Sequence, residues 1–211
     1  MSNLRLKVGK DFFSAKNIAV FGILLAISIV LQIFGGAVQI GIASLNFALI
    51  PMVLAALFFG AWGGALIGAV NGIVIFLTAC VFAPGGLFPF MFAANPDMMF
   101  LISFFKTTAA GFISGLLFEI LLAKNKYVAV FVASGIAPVV NTALFVFGMF
   151  LLQGDIVAFM GEGSNIFNFI FITLVGFNFF FELAVNLLVA PGLHTVYNVL
   201  EKEIIKKISK K

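Results

Sequence analysis

The sequence predicts an all-α membrane protein: six transmembrane helices, long extracellular loops and both termini in the cytoplasm. Three observations carry this. Of the 211 residues, 63% are hydrophobic and only 9% charged, and the mean hydropathy is +1.23. Several apolar runs reach roughly 18 residues or more, enough to cross a hydrocarbon core of about 30 Å as a helix. The basic residues also segregate to one side of the topology those runs define. Such a chain leaves no room for a soluble catalytic or nucleotide-binding domain. It is read as one integral membrane domain over 1–211, with a basic flank (1–16), a six-helix bundle (17–190) and an interfacial tail (192–211).

Residues 1–16 carry Arg5, Lys7, Lys10 and Lys16, a flank expected to stay inside. The first span covers about Asn17–Phe34. Gly35-Gly36 breaks it, and GGAVQIGIASLN follows as a mildly polar loop with strand-like alternation. A second, short apolar run covers about Phe47–Phe59 and contains Pro51; after the Gly60-Ala61-Trp62-Gly63 turn a third span covers about Gly64–Phe82. Pro84, Pro89 and Pro96 then punctuate APGGLFPFMFAANPD, which reads as a long outer loop. The fourth span, Met98–Ala123, leads through the basic turn Lys124-Asn125-Lys126 to a fifth at about Tyr127–Leu152. The Gly-rich acidic loop QGDIVAFMGEGSN precedes a sixth span, Ile166–Ala190, expected to end at Pro191-Gly192. In the tail, Val196, Leu200, Ile204 and Ile208 form one stripe opposite lysines, as in an interfacial helix. The first run has a spanning length and a poor cleavage context, so no cleavable signal peptide is expected.

This arrangement puts Arg5, Lys7, Lys10, Lys16, Lys124, Lys126, Lys202, Lys206, Lys207, Lys210 and Lys211 in the cytoplasm. They are all of the 12 basic residues except Lys106. The outer loops carry only Asp97, Asp155 and Glu162. The net charge of +4 therefore reports on lipid headgroups and not on nucleic acid. A single cysteine, Cys80, excludes an internal disulfide and an all-cysteine metal site.

Lys106 is the exception that organises the functional reading. An ammonium inside a span costs at least a few kcal/mol unless something answers it. Counted inward from the outer face, it lies about three turns deep, roughly 13 Å at 1.5 Å per residue. Asn71, Asn141 and Asn178 sit at comparable depth, with Thr107, Thr108, Thr142 and Thr173 near or above that level. Lys106, Asn71, Asn141, Asn178, Thr107 and Thr142 are the candidate substrate-binding residues, in a cavity beneath the long outer loops. The competing explanations are interhelical hydrogen bonding by Asn and Thr and a structural ion pair between Lys106 and Glu182. Glu119, near the inner end of its helix, is expected to meet water or Lys124. His194 is expected to be a surface or capping residue.

On the first span, Ala15, Ala19, Gly22 and Ala26 repeat every three to four residues and make a smooth face. It suits either internal packing or a partner subunit. The third span has the same character at Gly60, Gly64, Gly68 and Gly72. No GxxxxGK[ST] loop, HExxH motif or Ser/His/Asp grouping is present, so neither ATP hydrolysis nor another enzymatic activity is expected. An Arg-rich voltage sensor, a carbonyl filter and an inverted repeat of broken helices are absent as well. No catalytic residue, metal site or cofactor is assigned.

Residues 50–72, IPMVLAALFFGAWGGALIGAVNG, resemble the substrate-binding S components of energy-coupling factor (ECF) transporters: a proline-led short helix, a Phe-Gly turn with an aromatic, then a Gly/Ala-rich helix. PVVNTALFVFGMF at 138–150 resembles the fifth span of that group. The likeness extends to chain length, span number and the small-residue face at Ala15, Ala19, Gly22 and Ala26. It implies a subunit of an ATP-driven importer in the bacterial plasma membrane that captures a vitamin or similar micronutrient from outside. It implies docking on a transmembrane coupling subunit served by two cytoplasmic ATPases, which consume the ATP. Lys106 favours a carboxylated or otherwise anionic substrate such as pantothenate or a folate. The abundance of Phe leaves a flat-ring vitamin such as riboflavin as an alternative. A stand-alone permease or channel, and a membrane scaffold, are the other function classes.

Overall fold

The computed structural model describes residues 15–37, 39–40, 43–161, 163 and 165–208. Arg5, Lys7 and Lys10 of the basic flank, with Glu162, Lys210 and Lys211, lie outside the described residues. So do the side chains of Lys16, Leu200, Ile204, Lys206, Lys207 and Ile208. Helix α1 (Ala15–Ala37) leads to a two-stranded antiparallel pair, β1 (Gln39–Ile40) and β2 (Ala43–Ser44), where the alternating segment was expected to be a loop. Helix α2 (Leu49–Ile75) continues into a π-helical stretch, Phe76–Val81. Helices α3 (Leu87–Ala94), α4 (Pro96–Leu122), α5 (Lys126–Leu151) and α6 (Gln153–Met160) follow. The short α7 (Ile166–Asn168), the π-helical Phe169–Gly176 and α8 (Phe177–Ile208) are continuous.

Among the described residues, five helical segments are long and apolar enough to cross a membrane: Asn17–Gly35, Leu49–Val81, Pro96–Leu122, Lys126–Leu151 and Ile166–Val199. The expected second and third spans are the two arms of Leu49–Val81. Gly60 breaks it with φ 75° and ψ −170°, a left-handed backbone that glycine alone adopts freely. The arms fold back on one another. The Ser28 hydroxyl accepts from Asn71 Nδ2 (2.7 Å) and lies 3.3 Å from the Ala48 carbonyl, yet residues 48 and 71 of an unbroken helix would stand about 35 Å apart. Ala48 thus starts the first arm level with the middle of α1 and of the second arm. The first arm is short because the extended segment before it descends into the bundle. Glu119 Oε1 accepts from Ala61 N (3.0 Å) at the start of the second arm, where an exposed helix N-terminus needs an acceptor. Glu119, expected to meet water or Lys124, is half-buried and also caps this helix start.

The glycine stripe is the seam between α2 and α4. A Cβ at Gly64 would stand 2.4 Å from the Gly111 carbonyl oxygen, one at Gly68 2.2 Å from that of Thr107, and one at Gly72 2.6 Å from that of Ser103. These are backbone-on-backbone approaches that only small residues permit. On α1 the outcome differs: Ala15, Ala19, Gly22 and Ala26 are all exposed, and nothing lies within 4 Å of a Cβ built on Gly22. The described residues leave that face uncovered.

Two expectations about prolines are corrected. The segments read as outer loops contain α3 and α6. Pro89 sits in the first turn of α3 and Pro96 begins α4, positions whose N–H has no intrahelical partner anyway. Pro191 does not end the last span, since α8 runs through it to Ile208. Beyond the proline, Leu193 and Tyr197 are buried in the core and Glu201 pairs with Lys126. Tertiary packing there outweighs one lost backbone hydrogen bond. His194 meets the Tyr127 ring edge-on at 5.3 Å, close to its expected surface role.

The buried apolar residues form two clusters rather than one. One contains Leu49, Met52, Phe118, Val130, Ala133, Leu193 and Tyr197; the other contains Leu87, Met91, Met99, Met149, Ile156 and Ile170. Along α4, α5 and α8 the residues between the clusters are polar and buried: Ser103 and Thr107, Asn141, and Asn178, Glu182 and Asn186. The bundle therefore carries a polar belt between two apolar layers, and the candidate site lies in it.

Candidate functional site

A cavity of about 90 Å³ opens in this belt, room for roughly half a dozen waters. Lys106 of α4, Asn141 and Thr142 of α5, and Asn178 of α8 line it together. Four of the six residues expected from depth alone thus share one wall. The register is helical: Ser103 and Lys106 are three apart on α4, and Asn178 and Glu182 are four apart on α8, so each pair faces the same way.

The other two candidates lie elsewhere. Asn71 is buried against Ser28, donating to its hydroxyl at 2.7 Å. Thr107 is buried with its hydroxyl on the Ser103 carbonyl at 3.1 Å, and faces the Gly72 seam. Thr107 follows Lys106 directly, so it points about 100° away around the helix. Asn71 ties two helices together, Thr107 bonds back to its own helix at the seam, and neither lines the cavity.

Sequence reasoning missed Gln32 near the end of α1, Asn46 on the irregular segment before α2, and the contribution of Glu182. Asn46 ends the segment that the sequence reads as a loop. Its backbone N–H instead donates to Glu182 Oε1 at 2.8 Å, which holds the irregular segment against α8 inside the bundle. Non-helical backbone at such depth is tolerated where it lines a cavity. Two further cavity walls come from the π-helical stretches, through Ala79 and Cys80 on one side and Leu174 and Val175 on the other. π-Helical geometry is rare and is found frequently at functional sites.

The electrostatics are unusual for so apolar a chain. Among the described residues, the Lys106 ammonium makes no hydrogen bond or ion pair, and it lies over the Phe145 ring, 4.7 Å from its centroid. A cation–π contact of this kind supplies about 0.5–2 kcal/mol, well short of what an intramembrane charge needs. Lys106 and Glu182 both line the cavity and act on one another electrostatically, with no direct ion pair between them. The buried side-chain oxygens of Gln32, Asn46 and Asn141 also have no hydrogen-bond partner among the described residues. Buried polar atoms are normally satisfied, and several open ones around one small void mark a place where a ligand or ordered water completes the set.

The roof of the cavity is aromatic and sulfur-rich. Phe88 of α3 lines it with Met99, Phe145, Met149 and Phe179. Helices α3 and α6 pack over this end through Phe90 and Phe159, whose centroids are 5.4 Å apart. Asn95 Nδ2, at the start of α4, donates to Asp155 Oδ2 on α6 at 2.6 Å. The segments expected to cap the cavity form short helices pinned to one another, and α3 contributes Phe88 to its lining.

Compared one by one with curated proteins, the chain matches none. The family model described as "ECF transporter, substrate-specific component" matches residues 16–194, which takes in every lining residue of the cavity and, of the exposed face of α1, Ala19, Gly22 and Ala26. With five helices of spanning length, this is a multi-pass membrane protein, and the chain belongs to the family of substrate-specific components of ECF transporters.

Proposed function

We propose that this subunit captures a carboxylated or otherwise anionic micronutrient in the cavity around Lys106 and delivers it inward with partner subunits. The observation that carries the reading is the Lys106 ammonium, which lines the cavity and has no hydrogen bond or ion pair among the described residues. A charge-assisted hydrogen bond from a ligand carboxylate supplies about 1.5–3 kcal/mol and removes a standing desolvation cost. Asn141, Asn178 and Thr142 line the same cavity and offer polar contacts that fix the orientation of the bound molecule. Pantothenate or a folate exemplifies the chemistry. A flat-ring vitamin such as riboflavin finds aromatic walls here, but a void of about 90 Å³ suits a compact ligand or head group better than a fused ring system. Ligand pockets commonly run to roughly 300–1,000 Å³, so a larger vitamin requires α3 and α6 to move.

In this reading the chain crosses the bacterial plasma membrane six times, counting both arms of α2, with both termini in the cytoplasm as the lysine distribution favours. The chain itself holds no cofactor; two cytoplasmic ATPases consume the ATP. Ala15, Ala19, Gly22 and Ala26, all exposed, form the face for the transmembrane coupling subunit, because small residues let helices approach closely. The experiment is to purify the chain from its membranes and identify by mass spectrometry the small molecule released on denaturation. A carboxylated micronutrient supports the proposal. Uptake by proteoliposomes containing this chain alone, without ATPase partners, supports a stand-alone permease instead.

A further inference from the structure

The cavity is two-ended. Lys106 supplies three N–H donors, none of them used by the described residues. Glu182 spends one carboxylate oxygen on the Asn46 amide at 2.8 Å and has no hydrogen bond to its other oxygen among the described residues. The side-chain oxygens of Gln32 and Asn46 are buried and open too, and both residues line the cavity with Glu182. Donor capacity thus comes from α4, and acceptor capacity from α8, α1 and the irregular segment, with the Asn141 oxygen of α5 as a further acceptor. The two charged groups do not cancel by direct contact.

A simple anion would satisfy Lys106 and then face the carboxylate of Glu182 across a void of about 90 Å³. At such range like charges oppose one another strongly in a poorly screened interior. A simple cation meets the mirror-image penalty at Lys106. We infer that the cavity selects a compact molecule of no net charge, carrying a carboxylate for Lys106 and a cationic or N–H-rich nitrogen group for the Glu182–Gln32–Asn46 end. This rests on the reading of the cavity as the substrate site and narrows it from anion to zwitterion. The Phe145 ring beside Lys106 and the Phe179 ring on α8 then flank the ligand's apolar middle.

The test uses the full chain in lipid nanodiscs and chain-matched fragments at millimolar concentration: the zwitterions β-alanine and 4-aminobutyrate, the anion propionate and the cation propylamine. The readout is the shift in thermal unfolding. One zwitterion at least should stabilise more than propionate and propylamine combined, and its apparent affinity should fall about tenfold or more in both Lys106→Met and Glu182→Gln. Glutamine still accepts the Asn46 N–H, so the fold is preserved, and the comparison among probes on the native chain stands without either variant. Propionate equalling both zwitterions, with its effect lost in Lys106→Met and kept in Glu182→Gln, overturns this inference and leaves the anion reading intact. Responses that ignore Lys106→Met, or no response to any probe, overturn both.

Discussion

Replacing Gly68 by alanine should force α2 and α4 apart. The new Cβ would stand 2.2 Å from the Thr107 carbonyl oxygen and 2.8 Å from its carbon, against an ordinary separation of about 3.5 Å. Both obstructing atoms are backbone, so no rotamer change relieves them, and the helices must part by about 1 Å. Overpacking of this kind costs about 1–3 kcal/mol, with the rigid neighbour placing it near the upper end. Alanine recovers up to about 1 kcal/mol of helix propensity, for a net loss of about 2 kcal/mol. For a chain of this size that lowers Tm by roughly 4–8 °C. The displaced residue adjoins Lys106, so ligand affinity should fall as well. Gly22→Ala is the internal control: nothing lies within 4 Å of its Cβ, so thermal unfolding of the purified chain should show no loss. Equal stability of Gly68→Ala and the native protein would refute the close seam.

Other substitutions separate structural from binding roles. Asn71→Ala removes the buried bond to Ser28 and should destabilise by about 1–3 kcal/mol, while affinity for the retained small molecule, measured by titration, stays within about twofold. Asn95→Ala breaks the tie to Asp155 between the capping helices. Its effect should be on exchange, with dissociation about tenfold faster in a filter or stopped-flow assay, because residence time is where such contacts register. Glu119→Ala removes the acceptor for Ala61 N–H and should lower thermal stability by about 0.5–2 kcal/mol with no change in affinity.

Depth along a helix is legible in a sequence, whereas direction around it is less so. Lys106, Asn141, Thr142 and Asn178 were found because each interrupts an apolar run at a similar level. Asn71 and Thr107 share that level but turn toward the α2–α4 seam, where glycines let the backbones meet. The i, i+3 and i, i+4 spacings of Ser103 with Lys106 and Asn178 with Glu182 could have separated the groups. Gln32 and Asn46 escaped notice because polar residues at a span's end and in a linker are ordinarily solvated. Only the folded chain shows the linker descending to meet Glu182. Prolines were the other source of error: Pro89 and Pro96 occupy first turns, where they favour helices, and Pro191 is carried by the burial of Leu193 and Tyr197.

The claim on which the account turns is that Lys106 is held unpaired for a ligand's carboxylate. The direct measurement is calorimetric titration of the molecule identified from the purified protein into the native chain and into Lys106→Met, with unfolding temperatures recorded for both. The account predicts a variant at least as stable as the native protein, since an unpaired charge inside the span has been removed, with affinity lower by about 10- to 100-fold. Undiminished affinity in Lys106→Met would contradict it.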